Sequence, residues 1–247
     1  MSTRAVRPPD PVSLAADELA AGRMILLRDD CERRGEGDLL IAAEFADAAA
    51  VNFMASEARG LVCLALSTER CGELGLEQIG NRGNKSSLGD SAMVSIEARE
   101  GVTTGISAGD RARTIAAAID PASGPTDLAQ PGHVFPLRAR PGGVLERAGR
   151  TEAAVDLAGE AGLRAAAVLC QVMREDGRMA RDEDLEVFAV RHGLAILNVS
   201  DVVAHRRAVE PGAAAEMAAA GRLMRDVMGH FATGVSVVTA RAADGAP

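Results

Sequence analysis

DDCERRGEGD, Asp29–Asp38, packs five acids and two arginines around two glycines, directly after the short apolar run Met24–Leu27. Working backwards, Val12–Ala21 has helical apolar spacing and stops at Gly22, so the chain opens as helix, strand and acidic loop. Working forwards, Ala46–Glu57 has helical spacing, Gly60–Leu66 (GLVCLAL) is a buried-strand run, and Ser67–Leu74 (STERCGEL) carries a serine cap. This alternation predicts a mixed α/β architecture.

The same reading extends downstream. Gly80–Gly89 is a polar loop, Ala92–Ile96 a strand, and Ser107 with Asp110 opens a helix over Ala108–Ile119 in capping-box spacing, with amides that could hold an anion. Pro121–Pro131 reads as a loop, Val134–Leu137 as a strand, Thr151–Ala161 as a helix, Ala165–Val172 as a strand, Asp184–His192 as a helix and Ala195–Val199 as the last strand. After His205 the texture changes: Arg206–Gly212 reads as a linker, Ala213–Met228 as an Ala-rich helix and Gly229–Ala240 as a turn and strand. The expected division is 1–206 and 207–247, the second part being marginal as an independent core.

Composition excludes several functions. With 247 residues and 47% apolar content the chain can bury a real core, while a net charge of −8 and the absence of Trp and Tyr argue against nucleic acid. The N-terminus lacks a signal-peptide core, and no apolar run approaches the roughly 18 residues of a membrane span, so no membrane contact and a cytoplasmic location are expected. Cys31, Cys63, Cys71 and Cys170 show neither a disulfide framework nor zinc spacing. Lys85 is the single lysine, so anion recognition falls to arginine.

A second charged stretch, Glu146–Ala153 (ERAGRTEA), supplies Arg147 and Arg150. Together with Arg33, Arg34, Glu36 and Asp38 it suits binding of a small, multiply charged anion; two solvated charged turns would have the same composition.

DDCERRGEGDLLIAAE, GLVCLALSTER, GVTTGISAGDRARTI, PGHVFPLRARPGGVLERAG, TEAAVDL and EDGRMAR occur in the order and spacing of 3,4-dihydroxy-2-butanone 4-phosphate synthases, over about Leu14–Arg206. The resemblance implies an α+β fold, a mixed sheet surrounded by helices. It also implies a homodimer with composite sites that converts ribulose 5-phosphate into dihydroxybutanone phosphate and formate for riboflavin synthesis. Positions matching the family's substrate cradle are Arg33, Asp38, Thr104, Ser107, Asp110, Arg111, Arg147, Thr151 and Glu152, with His133 in a proton-transfer role. Read without the resemblance, His133 is better taken as a histidine satisfied by backbone in a core turn.

The resemblance breaks at the family's chemistry. The metal-binding Glu of D-R-E-N-E-G-D is replaced by Arg34, the metal-binding His of G-H-T-E by Arg150, and the acid of L-C-E by Gln171, an amide unable to exchange a proton near neutrality. The loop resembling N-N-T-S-x-Y-G-T carries Lys85, Leu88 and Asp90 instead. Arginine has no lone pair to donate, so the expectation is no metal and no cofactor, with Arg34 and Arg150 bringing the formal charge that a magnesium pair and its ligands would bring.

Three readings follow. The first is a metal-independent relative acting on ribulose 5-phosphate or a related ketose phosphate, with His133, Arg34, Arg150 and Gln171 at the chemistry. The second is a non-catalytic dimeric scaffold for a flavin reductase, and the third the ordinary synthase with magnesium relocated to Glu36, Asp38, Glu152 and His133. The flavin reductase enters because Leu223–Ala240, LMRDVMGHFATGVSVVTA, resembles the opening of split-barrel flavin reductases, which implies a fused reductase module as a partner.

Overall fold

The computed structural model describes residues 10–31, 35–79 and 91–210 of the chain. Arg33, Arg34, the Lys85 loop and the reductase-like tail lie outside these residues. Among the described residues, helices α1 (Pro11–Ala20), α2 (Ala48–Phe53), α3 (Thr68–Glu73), α4 (Ala108–Ile119), α5 (Arg150–Glu160), α6 (Asp182–His192) and α7 (Val199–Val209) surround one mixed sheet. Its strands are β1 (Ile25–Arg28), β2 (Gly37–Ala42), β3 (Arg59–Leu66), β4 (Ile96–Ala98), β5 (Leu128–Arg138), β6 (Ala166–Val172) and β7 (Ala195–Asn198), in the order β4-β5-β3-β6-β2-β1-β7. The β1/β7 and β3/β5 pairs are parallel and the others antiparallel. The α+β expectation is met.

The sheet is covered on both faces. Leu26, Leu39, Ile41, Leu64 and Val168 point to one side, against Val51 of α2, Ile115 of α4 and Leu185 of α6. Ile25, Leu27, Leu40, Ala65 and Leu169 point to the other, against Leu19 of α1, Leu157 of α5 and Val202 of α7. Strands buried on both faces lose the polar alternation of a half-solvated strand. β2 has no counterpart among the expected elements: it follows the acidic loop at once, and Gly37 already pairs with Arg28.

Other boundaries are corrected in the same way. Residues 206–209, expected as linker, continue α7. The loop expected up to Pro131 is already β5 from Leu128, and the strand expected at Ala92–Ile96 is β4 at Ile96–Ala98, preceded by isolated bridges at Ala92 and Met93. The cause is a bulge. Ile96 pairs with Val134 while Glu97 pairs with Ala129, leaving residues 130–133 of β5 extra, and Gly132 lies so close to the Ile96 backbone that a Cβ would meet it at 2.2 Å. Serine caps are as expected: Ser67 Oγ accepts from Arg70 N at 3.1 Å and Ser107 Oγ from Asp110 N at 3.0 Å.

Candidate functional site

β1 and β2 form an antiparallel pair in which Leu27 faces Asp38, and Asp29 N donates to Glu36 O at 2.8 Å. This brings Asp29, Glu36 and Asp38 together as buried acids. Arg150, the first residue of α5 after its cap Gly149, enters that cluster. Its Nη1 donates to Asp38 Oδ2 at 2.6 Å, with Nε 3.6 Å from Asp29 Oδ2 and Nη2 3.8 Å from Glu36 Oε2. The N-terminus of α5 adds its positive dipole end to the guanidinium. Burial pushes the Asp38 carboxyl above its ordinary pKa; Arg150 opposes this and the neighbouring Asp29 and Glu36 reinforce it.

Gln171 is the cross-strand partner of Asp38 on β6, where Gly60 of β3 comes so close that a Cβ would meet the Gln171 carbonyl oxygen at 2.2 Å. Arg147, in the turn before α5, donates to Ser91 Oγ and lies 3.9 Å from Glu152 Oε1. Glu152 is fully buried, and its Oε1 accepts from Arg140 N at 3.1 Å, so it supports the turn from beneath, and burial raises its pKa. Thr151 is half-buried beside it on α5. Asp38, Arg147, Arg150, Thr151, Glu152 and Gln171 are thus gathered at one end of α5.

The other expected residues gather elsewhere. His133 lies in the β5 bulge, with Nδ1 2.6 Å from Glu97 Oε2 of β4. Thr104 and Ser107 are exposed on the loop before α4. Asp110 anchors that loop, its Oδ2 accepting from Thr103 Oγ1 at 2.7 Å and from Gly105 N at 3.0 Å, and the Thr103 hydrogen bond leads the interactions that hold its pKa low. Arg111 on α4 keeps a buried Nε with no hydrogen-bond partner among the described residues, and its charge opposes the rise in the Cys170 pKa. From β5 to β2 there are three strand spacings, about 14 Å. A ring turned toward Glu97 does not close that gap within one chain.

Of the four residues expected to hold a relocated metal, His133 therefore stands apart from the other three within one chain. Glu36 and Asp38 face Arg150, Glu152 faces Arg140, and His133 faces Glu97. Among the described residues no three His, Cys, Asp or Glu side chains are arranged to hold a metal ion. Cys63 and Cys170 are desolvated thiols with pKa pushed up to about 12, unsuited to nucleophilic work. Among the described residues no helix is long and apolar enough to cross a membrane.

Two site residues escape a reading of the sequence. Asp29 is one acid among several in its loop, and only the β1–β2 register turns it toward Arg150. Glu97 lies one residue beyond the strand expected at Ala92–Ile96, and only the structure marks it: a Cβ on Gly105 would lie 1.8 Å from its carboxylate.

Comparison with known proteins places these features in a family. The model of 3,4-dihydroxy-2-butanone 4-phosphate synthase matches residues 13–205. The chain is 53% identical over 201 residues to a 3,4-dihydroxy-2-butanone 4-phosphate synthase of Pseudomonas syringae, covering 81% of this chain and 54% of that protein. It is 50% identical over 197 residues to the riboflavin biosynthesis protein RibBA of Aquifex aeolicus, covering 79% of this chain and 48% of that protein. The chain spans about half the length of these curated relatives. Among solved structures it resembles RibBX, a two-domain synthase from A. baumannii, with TM-score 0.75, 49% identity, and coverage of 79% of this chain and 57% of that one. A synthase in complex with two magnesium ions matches with TM-score 0.75 at 36% identity, covering 81% of this chain and 97% of that one. By the extent of the family match and by identity to its relatives, the chain belongs to the 3,4-dihydroxy-2-butanone 4-phosphate synthase family.

Proposed function

We propose that the chain is a lyase of the dihydroxybutanone phosphate synthase type, acting on ribulose 5-phosphate or a closely related ketose phosphate in riboflavin synthesis. The names of its relatives support the parent reaction over a departed chemistry. The observation that carries the mechanistic reading is Arg150 lodged among Asp29, Glu36 and Asp38.

The residues present do not fit a magnesium pair at this cluster, because a guanidinium without a lone pair already stands between its acids. The charge that develops when a carbon-bound proton leaves a ketose is met here by Arg150. Its contacts with Asp29 and Glu36, at 3.6 and 3.8 Å, are ion pairs longer than hydrogen bonds, so those N–H groups can turn to a substrate oxygen. Arg147 and Thr151 are suited to the phosphate at the start of α5. Asp38, held by Arg150 and cross-strand to the inert amide of Gln171, positions the substrate, and His133 is the group that moves the proton.

His133, three strands away, supports a site completed by a second copy of the chain. Mixing an inactive His133→Ala protein with an inactive Arg150→Ala protein should then restore a quarter to a half of the activity. A fused reductase module remains the proposal for the tail.

The deciding experiment is formate release from ribulose 5-phosphate by the full chain, after chelation and with added magnesium, beside an Arg34→Glu, Arg150→His, Gln171→Glu triple variant. Release after chelation supports arginine in place of metal. Release only with magnesium supports the parent mechanism, which the 36%-identical magnesium-bound relative favours. Release only by the triple variant makes the native chain a binding domain.

A further inference from the structure

The His133 region has a construction that the expected site residues do not account for. Glu97 is the polar residue of a three-residue edge strand, β4, and its side chain is only 16% exposed while the His133 side chain beside it is 43% exposed. An incidental surface pair would leave both partners free to move. Here the carboxylate is seated against Gly105: at φ +84° that glycine adopts a backbone conformation L side chains avoid, and a Cβ on it would fall 1.8 Å from Glu97 Oε1. Gly105 is in turn fixed by Asp110, which accepts from its N–H at 3.0 Å and from Thr103 Oγ1 at 2.7 Å. From the other side, Gly132 N donates to Ser95 Oγ at 3.1 Å and fixes the bulge that carries His133. A continuous path of contacts therefore runs from the first turn of α4 through the loop to Glu97 and the imidazole.

We propose that Glu97 is a positioning residue for His133. It holds the ring in one orientation and in the tautomer that carries hydrogen on Nδ1, leaving the Nε2 lone pair to take the substrate proton. A carboxylate oxygen only accepts, so at 2.6 Å the hydrogen belongs to His133 Nδ1. An imidazole free in water prefers hydrogen on Nε2, which would turn a donor, not an acceptor, to the substrate. The catalytic half of this proposal rests on the reading of His133 as the proton-moving group; the tautomer half does not.

The test reads the ring nitrogens by ¹⁵N–¹H correlation on the full-length protein without substrate, above the pH at which the imidazole is charged. His133 is identified among the four histidines with a His133→Gln variant. Expected are an Nδ1–H tautomer in the native protein, an Nε2–H tautomer in Glu97→Ala, and retention of Nδ1–H in Glu97→Gln, whose amide oxygen still accepts. Gly105→Ala, which displaces the carboxylate without removing it, should behave as Glu97→Ala does and serves where that variant fails to fold. Turnover should fall about tenfold or more in kcat for Glu97→Ala with KM little changed, and recover in Glu97→Gln. A native Nε2–H tautomer, or Nδ1–H persisting in both Glu97→Ala and Gly105→Ala, overturns the positioning role. A native protein that shows the Nδ1–H tautomer but turns over no ketose phosphate under any metal condition overturns the lyase reading and leaves the Glu97 assignment standing.

Discussion

The Arg150 cluster and the His133 cluster carry charge under opposite conditions. Around Arg150 three buried acids share one guanidinium that is 20% exposed, at the seam between β1, β2 and the start of α5. Around His133 a single acid meets an imidazole at the sheet edge, in a bulge open to solvent. In the first, removal of the cation leaves charges in a medium that cannot solvate them. In the second, water can replace a lost partner, so what the protein controls is direction. The lesson is that one cluster stores electrostatic free energy while the other stores geometry, and substitutions should separate the two by size.

The largest effect is expected at Arg150. Arg150→Ala leaves Asp29, Glu36 and Asp38 without their shared cation and should cost about 3–5 kcal/mol of stability in urea unfolding. A loss below about 1 kcal/mol would mean that water already screens the cluster, and the contrast between the two regions would break. Next comes Gly105→Ala, for which the positive φ and the Glu97 carboxylate together predict a loss of about 1–3 kcal/mol, measured the same way. Ser107→Ala removes the cap of α4 and should cost about 1 kcal/mol, with the loop before α4 losing protection in hydrogen exchange.

The smallest effect is a pH dependence of opposite sign in the two regions. Burial raises Asp38 and Glu152 in the folded state, so each favours folding when protonated; that contribution is complete below the ordinary carboxylate pKa and is lost as pH rises through the raised value. Asp110, lowered by its Thr103 hydrogen bond, contributes above the ordinary carboxylate pKa and loses that contribution as pH falls through its depressed value. Stability measured from pH 3 upward should therefore fall less steeply in Asp38→Asn than in the native protein, while Asp110→Asn should remove a loss on the acid side. Equal profiles in both variants would show that the two regions are electrostatically alike.

Much of this was readable in advance. The helices at α1, α4, α5 and α6 and the strands at β1, β3 and β6 follow from apolar spacing and from Ser67 and Ser107 as caps, since these are local interactions. Local signals fail at β2, at α7, where charged residues at the end of a helix resemble a linker, and at β5, whose Pro131 is accommodated by a bulge that only the partner strand reveals. Of the candidate site, the structure brings Asp38, Arg147, Arg150, Thr151, Glu152 and Gln171 to the start of α5. His133, Thr104, Ser107 and Asp110 lie at the β5 bulge and the loop before α4 instead, and nothing in residue spacing distinguishes the two groups.

The order of the charged blocks was enough to establish the family, because motif order and local capping are written along the chain. Which acids Arg150 neutralises, how far His133 stands from Asp38 and what orients its ring depend on strand order and register. Those are set by long-range pairing, in which a shift of one residue reverses the face every side chain presents.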